Sequence, residues 1–322
     1  MTKPRLLLMR DVFPEVLAYL SGFADVDHNA TDDLFTPAML HQRAQGCDGV
    51  ITTLTDRIDS TFFDACPSVK VVSNIAVGYN NIDVTEASKR GVKVTNTPGV
   101  LDDTTADLTF ALLMATARRI TETERRLRNG EWKKGFALQQ WLGTDIHHAS
   151  LGIIGMGRIG QTIARRASGF DMRVRYHNRA QLDATTESRL NVSFASKRDI
   201  LRESDFVVVM VPYSPATHHL IKAEDLALMK PTAIFINTAR GGVVDDVALI
   251  AALKENHIAG AGVDVFEGEP ALNPGFLKLD NVVLTPHIGS ATRATRMRMA
   301  MLAATNMTAA LAGKIPPNLV NP

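Results

Sequence analysis

Short apolar runs alternate with segments of helical period along most of this chain, and this alternation limits its fold more than any other feature. RLLLM at 5–9 and DGVITTL at 48–54, for example, are separated by helical segments such as PEVLAYLSGF at 14–23. Buried strands that alternate with helices are typical of parallel sheets covered by helices. The rhythm resumes from Ser150 with SLGIIG, RVRYHN and DFVVVMVP. The pattern therefore predicts an α/β chain with doubly wound parallel sheets.

Length and composition narrow the class of protein further. A chain of 322 residues exceeds the usual size of one hydrophobic core, so two domains are expected. A formal net charge of +1 gives no reason to expect nucleic acid or a membrane surface as a partner. The apolar runs are far shorter than the ~20 residues of a membrane span. Only two cysteines occur, in no metal or redox spacing, and no signal peptide is recognised, so a cytoplasmic protein is expected.

A glycine-rich loop follows the first apolar run of the second set. LGIIGMGRIGQTIARRA contains Gly155, Gly157 and Gly160 between an apolar strand and an amphipathic helix. In this context the spacing predicts a dinucleotide-binding loop, in which the helix N-terminus faces the pyrophosphate. An ordinary glycine turn is the alternative. The second half of the chain is thus expected to be Rossmann-like.

The end of the next strand carries no acid where one is usual. An Asp or Glu ~20 residues after the glycines normally holds the ribose 2′-hydroxyl, but RVRYHNR at 173–179 ends in Asn178 and Arg179. An Asn amide and an Arg guanidinium suit a 2′-phosphate. We therefore expect NADP(H) to be preferred. The alternative is a solvated Arg179 beside bound NAD(H).

Three further motifs complete a resemblance that covers nearly the whole chain. FINTARGGVVDD at 235–246, GVDVFEGEP at 262–270 and LTPHIGSAT at 284–292 follow GMGRIG in order. Together they resemble the signatures of the D-2-hydroxyacid dehydrogenase family. Within it the chain is most similar to the glyoxylate/hydroxypyruvate reductases, including the bacterial 2-ketogluconate reductases. The resemblance implies reduction of a small 2-keto acid to the D-2-hydroxy acid, with hydride from nicotinamide C4.

The resemblance also implies a catalytic trio whose chemistry suits that reaction. Arg240 is expected to grip the substrate with its planar guanidinium. His287 is the expected proton donor, and Glu269 is expected to hydrogen-bond it and favour its charged form. Taken singly, each of the three has a structural alternative, such as a surface Arg or a turn acid. Their order behind a dinucleotide loop favours the catalytic interpretation.

By the same resemblance, further residues are expected to contact ligands. Asp264 is expected to meet the nicotinamide carboxamide. The other residues expected to line the cofactor are Thr105, Met156, Arg158, Ile159, Val211, Pro212, Thr217, Ala239 and Gly289. The backbone N–H groups of Val77 and Gly78 are expected to receive the substrate carboxylate, and Leu54 is a candidate apolar wall. An ordinary strand-to-helix turn is the alternative at Val77 and Gly78.

The resemblance implies a domain division and a homodimer. Residues 1–99 and 290–322 are expected to form a flavodoxin-like substrate-binding domain, and residues 100–289 the NADP-binding domain, with the active-site cleft between them. Residues 121–148 contain the charged run RRLRNGEWKKG followed by FALQQWLGTDIHH, which has no clean period, and by the resemblance this segment is expected to embrace a second subunit. Trp141 is expected either to reach the partner's substrate pocket or only to anchor the interface.

Two alternatives of function stay open at this point. One is another dehydrogenase of the family, such as a short, NAD-dependent phosphoglycerate-type enzyme. The other is a nucleotide-sensing scaffold similar to the C-terminal-binding-protein corepressors. No metal site is expected, because the adjacent histidine pairs 147–148 and 218–219 would not face one another on a regular helix or strand.

Overall fold

The computed structural model describes residues 3–321, which divide into two compact units. Unit 1 comprises Met1–Leu101 and Ala291–Pro322, and unit 2 comprises Asp102–Ser290. In each unit the described strands form one parallel sheet. The predicted α/β class with two doubly wound parallel sheets is confirmed. Within residues 3–321, no helix is both long and apolar enough to cross a membrane.

Unit 1 begins with alternating strands and helices. In chain order they are β1 Arg5–Leu8, α1 Pro14–Phe23, β2 Asp25–His28, α2 Pro37–Ala44, β3 Gly49–Thr52, α3 Ser60–Ala65, β4 Val71–Asn74, α4 Val84–Lys89 and β5 Lys93–Thr95. The spatial order is β2-β1-β3-β4-β5, which is the flavodoxin-like order. Local signals position the helices: Asp59 and Asp83 cap α3 and α4, and prolines begin α1 and α2.

Unit 2 contains the longer of the two sheets. Its helices are α5 Asp102–Ala117, α6 Ile120–Arg128, α7 Arg158–Ala167, α8 Ala184–Leu190, α9 Lys197–Glu203, α10 Ala223–Leu226 and α11 Asp246–Lys254. Its strands are β6 Ser150–Ile154, β7 Arg173–His177, β8 Val192–Phe194, β9 Phe206–Val209, β10 Ile234–Asn237, β11 Gly260–Val263 and β12 Val282–Leu284. The order β12-β11-β10-β9-β6-β7-β8 starts in the middle of the sheet and reverses between β6 and β9. Ligands of such sheets bind beyond the carboxyl ends of the strands at that reversal.

The last helix, α12 Arg293–Leu311, returns to unit 1 and packs on β4 and β3. Its buried side, which includes Ala303 and Met307, joins the core formed by α1 and one face of the sheet. The opposite face packs against α2 and α3. In unit 2, strand residues likewise alternate between the two cores: Val207 and Val209 face one, and Phe206 and Val208 the other.

Candidate active site

The loop between β6 and α7 has the geometry of a phosphate-binding turn. Gly155 has φ +108°, and a Cβ there would lie 2.4 Å from the carbonyl oxygen of Met210. A Cβ on Gly160 would lie 2.2 Å from the carbonyl oxygen of Gly155, so α7 can pack this closely on the end of β6 only if residue 160 is glycine. A Cβ on Gly157 would have no described atom within 4 Å. The open side of the loop therefore lies at Gly157, at the start of α7, whose first N–H groups have no partner within the helix.

Asn178 supports this loop directly. Its Oδ1 accepts a hydrogen bond of 2.7 Å from the N–H of Met156, which fixes the orientation of the side-chain amide. Among the described residues, none accepts from its Nδ2, so that group remains available as a donor. Arg179 is exposed and forms no ion pair with any described residue. The end of β7 thus presents an amide and a guanidinium with no carboxylate at either position, a donor set that fits a 2′-phosphate.

The other residues expected to line the cofactor belong to unit 2 and cluster at two kinds of position. Thr105 is buried in the first turns of α5. The rest follow the carboxyl ends of strands: Met156, Arg158 and Ile159 after β6, Val211, Pro212 and Thr217 after β9, Ala239 after β10, Asp264 after β11 and Gly289 after β12. Thr217 shapes its own loop, because its Oγ1 donates to the carbonyl of Pro212 and accepts from the N–H of Ser214.

Asp264 holds the segment that follows β12. Its carboxylate accepts hydrogen bonds from Thr285 Oγ1 at 2.7 Å and from the N–H groups of Ile288 at 2.8 Å and Gly289 at 2.9 Å. Burial raises the pKa of Asp264, although these donors and the nearby His287 oppose the rise. The side chain is therefore a structural clamp beside the site. Sequence reasoning expected a contact with nicotinamide and missed this clamp.

Arg240, Glu269 and His287 form one hydrogen-bonded chain. Nδ1 of His287 lies 2.7 Å from Oε2 of Glu269, and its Nε2 lies 3.1 Å from Nη1 of Arg240. A guanidinium can only donate, so this arrangement requires a neutral imidazole with its proton on Nδ1. The side chains of His287 and Glu269 keep only 22% and 20% of their exposure. The trio predicted from the sequence is thus brought together, with the imidazole in the middle.

The electrostatics of the trio follow from burial and pairing. Burial lowers the pKa of Arg240, because the charged guanidinium is desolvated, and the charge of Glu269 only partly opposes this. For Glu269, burial alone would raise the pKa. The hydrogen bond from His287, the positive charge that His287 carries when it is protonated, the N–H of Phe266 and the charge of Arg240 outweigh the effect of burial, so the pKa of Glu269 is lowered. Glu269 is therefore held as a carboxylate facing Nδ1.

The backbone at His287 is in an unusual conformation. Its φ is +52°, in the left-handed region that residues with a Cβ seldom adopt. Its N–H donates to the carbonyl groups of Asp264 at 2.9 Å and Thr285 at 3.0 Å. These two hydrogen bonds hold the backbone of His287 in this conformation. Strained backbone that is held in place by its surroundings is common at functional sites.

The three substrate-contact candidates of unit 1 lie on two loops. Leu54 follows β3, and Val77 and Gly78 follow β4. The carbonyl groups of Ala76, Val77 and Gly78 all accept hydrogen bonds from within unit 1. No residue in the described range accepts from the N–H groups of Val77 and Gly78. The turn therefore leaves the N–H groups of Val77 and Gly78 available as donors while its carbonyl groups are occupied, an arrangement that suits the binding of an anion.

Residues 129–149 form no helix or strand. Trp141 lies there, partly exposed and with φ +53°. Phe136 and Leu138 are 90% and 81% exposed, respectively. The segment thus exposes large apolar side chains to solvent.

The structure corrects the expectation for one histidine pair. The rings of His218 and His219 stack with centroids 4.0 Å apart, and His219 Nε2 pairs with Oε1 of Glu267. Possible ligand atoms of the three residues lie within 4.8 Å of one another. Neighbouring side chains diverge on a regular strand or helix, whereas His219 has φ +49°, in the left-handed region, and the two rings lie together.

A family model described as D-isomer specific 2-hydroxyacid dehydrogenase, NAD binding domain, matches residues 110–289. This chain belongs to that family. The predicted membership is confirmed, and it makes the chain an oxidoreductase whose unit 2 contains an NAD-binding domain of this dehydrogenase family.

Relatives of this dehydrogenase match it over nearly its whole length. A glyoxylate reductase of Pyrococcus horikoshii is 51% identical over 323 residues, covering 99% of this chain and 96% of the relative. The structure of a glyoxylate reductase from Paecilomyes thermophila superposes with a TM-score of 0.88 at 30% identity, covering 99% of both chains. An NADPH-dependent glyoxylate/hydroxypyruvate reductase from Sinorhizobium meliloti, in complex with NADP and malonate, gives a TM-score of 0.86 at 32% identity, covering 99% of this chain and 97% of its own.

Proposed function

We propose that this dehydrogenase uses NADPH to reduce a small 2-keto acid, with glyoxylate and hydroxypyruvate as the main substrates and 2-ketogluconate as a larger candidate. The observation that carries the proposal is the hydrogen-bonded chain Arg240, His287 and Glu269. It offers a cation for an anionic substrate and a proton donor backed by a carboxylate. The names of the relatives at 45–51% identity support glyoxylate as the substrate.

In reduction, the bound cofactor supplies a hydride to the keto carbon. Arg240 gives up its contact with His287 and binds the substrate carboxylate and carbonyl. His287 then carries a proton on Nε2 and donates it to the oxygen that becomes the hydroxyl. Glu269 holds Nδ1–H throughout and stabilises the imidazolium before transfer. The N–H groups of Val77 and Gly78 are proposed to receive the substrate carboxylate, with Leu54 as an apolar wall.

The preference for NADPH rests on the end of β7. The Asn178 amide nitrogen and the exposed Arg179 guanidinium are donors without an acidic neighbour at the usual ribose position. Charge-assisted hydrogen bonds contribute ~1.5–3 kcal/mol each. Two such bonds would favour NADPH over NADH by at least about two orders of magnitude if fully formed.

The partner is proposed to be a second copy of the chain. The segment 129–149, which contains Trp141, exposes Trp132, Phe136 and Leu138, and aromatic residues are enriched in interfaces. Unit 1 and unit 2 are proposed to serve as the substrate-binding and cofactor-binding domains. The oligomeric state in solution is checked by light scattering.

Initial rates of NADPH and NADH oxidation at neutral pH test the proposal, with glyoxylate, hydroxypyruvate, 2-ketogluconate and 3-phosphohydroxypyruvate in parallel. We expect the highest kcat/KM with NADPH and one of the first two acids. Preference for NADH with the phosphorylated acid would favour a phosphoglycerate-type enzyme. Nucleotide binding without turnover of any acid would favour a sensing scaffold.

The pH dependence tests the role of His287 separately. Reduction requires the protonated imidazole and oxidation requires the neutral one, so the rate of reduction falls and the rate of oxidation rises with increasing pH. Parallel profiles in the two directions would remove His287 as the proton donor.

A further inference from the structure

Two loops of unit 1 carry the proposed substrate contacts of that unit. The wall loop, residues 53–57, follows β3 and includes Leu54. The anion loop, residues 75–80, follows β4 and includes Val77 and Gly78. Neither loop belongs to a helix or strand, so other contacts must fix their conformations. Just beyond them, a parallel bridge joins Ile58 to Ile82.

Asn81 joins the two loops through its side chain. Its Nδ2 donates to the carbonyl oxygens of Thr53 and Asp56, both at 2.9 Å, and so binds the wall loop near both of its ends. Its Oδ1 accepts from Nδ2 of Asn74 at 3.3 Å, and the same Nδ2 donates to the carbonyl of Gly78 at 2.8 Å. One amide thus connects the wall loop to the anion loop through a single buried intermediary.

The Asp56 carboxylate fixes the conformation of the wall loop through several hydrogen bonds. Its carboxylate accepts from the N–H of Thr53 at 2.9 Å and from Arg10 Nη2 at 2.7 Å. The hydroxyl groups of Thr52 and Thr53 also donate to it, at 3.2 and 3.0 Å. The Asp56 side chain is only 3% exposed. The loop is therefore closed on itself by side-chain hydrogen bonds, and backbone bonds from Ile75 N–H to the carbonyl of Thr52 and from Ile58 N–H to the carbonyl of Asn81 join its ends to the flanks of the anion loop.

We propose that Asn81 is a positioning residue that sets the spacing between the Leu54 side chain and the free N–H groups of Val77 and Gly78, and so determines which size of 2-keto acid the enzyme accepts. This inference rests on the proposed function. The carboxylate of a 2-keto acid is adjacent to its keto carbon. The distance from the N–H groups of the anion loop to the Leu54 side chain of the wall loop therefore limits the size of the substituent on that carbon. Asn81 fixes both ends of this distance without touching the substrate.

The test compares Asn81→Ala with a matched variant, Asn321→Ala. The Asn321 amide also donates to two groups of unit 1, Ser88 Oγ at 3.0 Å and the carbonyl of Val92 at 2.8 Å, and it accepts from an N–H. It contacts neither loop. Each variant is assayed for KM and kcat with glyoxylate, hydroxypyruvate and NADPH, and hydrogen exchange of the backbone amides is followed by mass spectrometry.

For Asn81→Ala we expect KM for glyoxylate to rise about tenfold, because the three neutral hydrogen bonds that join the two loops through this amide are lost. A smaller rise is expected for hydroxypyruvate, and KM for NADPH should be unchanged. Exchange should accelerate in both 53–57 and 75–80. Asn321→Ala should leave all of these values near those of the wild type. An unchanged ratio of kcat/KM between the two acids, or faster exchange in only one loop, would overturn the proposal. If the wild-type protein reduces no 2-keto acid, the proposed function fails, and the exchange data still decide whether Asn81 couples the loops.

Discussion

Asn178→Asp tests the assignment of NADPH with the smallest change of shape. An aspartate can keep the 2.7 Å hydrogen bond from the N–H of Met156, so the glycine loop should hold its conformation. The substitution replaces the available Nδ2 donor by a carboxylate oxygen. That oxygen would face the proposed 2′-phosphate of NADPH, whereas it could accept a hydrogen bond from the ribose 2′-hydroxyl of NADH.

The magnitude follows from two contributions. The loss of one charge-assisted hydrogen bond costs ~1.5–3 kcal/mol. A negative charge about 4 Å from a phosphate with nearly two charges adds up to ~2 kcal/mol at the dielectric constant of water, and salt reduces this repulsion. We expect a total of about 3 kcal/mol, which lowers kcat/KM for NADPH about 100-fold. The value for NADH should stay constant or rise.

The assay is the initial rate with a saturating 2-keto acid at varied NADPH or NADH. Asn191→Asp is the control, because it adds the same charge at the exposed end of α8, before β8 and thus at the opposite edge of the sheet. A ratio of kcat/KM for NADPH over NADH that changes less than about threefold in Asn178→Asp would refute the proposed contact.

Three further predictions concern single side chains. Arg240→Lys keeps the charge but loses the planar pair of donors, so kcat/KM for the keto acid should fall at least about 100-fold while the Kd of NADPH, measured by fluorescence titration, stays constant. Trp141→Ala should shift the preference between keto acids in a protein that remains dimeric by light scattering, and an unshifted preference would assign Trp141 to the interface alone. Burial is the main cause that raises the pKa of Asp246 to about 6, above its value in the unfolded chain. The folded state therefore binds the proton more tightly than the unfolded state, and the free energy of unfolding falls as pH rises from about 4 to 6. Asp246→Asn should remove this loss, which amounts to as much as ~3 kcal/mol in urea unfolding, and identical pH dependence in both proteins would contradict it.

Much of the fold follows from local pattern. The apolar runs RLLLM and DFVVVMVP could only be buried strands between helices, and residues 5–8 and 206–209 are such strands. The glycine loop was recognisable from its spacing between a strand and a helix: Gly155 and Gly160 each have a steric reason in the structure, and Gly157 lies on the open side of the loop. The trio Arg240, Glu269 and His287 was expected from the resemblance to the dehydrogenase family. Its members could be expected to lie close together because the carboxyl ends of neighbouring parallel strands meet at one edge of a sheet.

Other features depend on contacts that no spacing in the sequence encodes. The stacking of His218 on His219 depends on a left-handed residue in a loop, and periodicity applies only to regular elements. The bond from Met156 to Asn178 converts a predicted ligand group into one that also holds the loop. Asn81 was missed because its partners lie 25 and 28 residues earlier in the chain.

Unit 1 is built from two separate stretches of chain, and this affects when it can finish folding during synthesis. α12 buries Ala303, Ala304 and Met307 against a sheet whose strands all precede residue 96, and the carbonyl of Ala303 accepts from Ser73 Oγ at 2.9 Å. A ribosome must therefore translate all of unit 2 before that face of the first sheet, to which α1 already contributes Val16 and Leu20, can be covered completely. Until then the part of this apolar surface that α12 buries lacks its cover on the nascent chain. Such surfaces attract chaperones and promote aggregation, so truncation before residue 293 should harm solubility far more than the loss of one helix from a chain end would suggest.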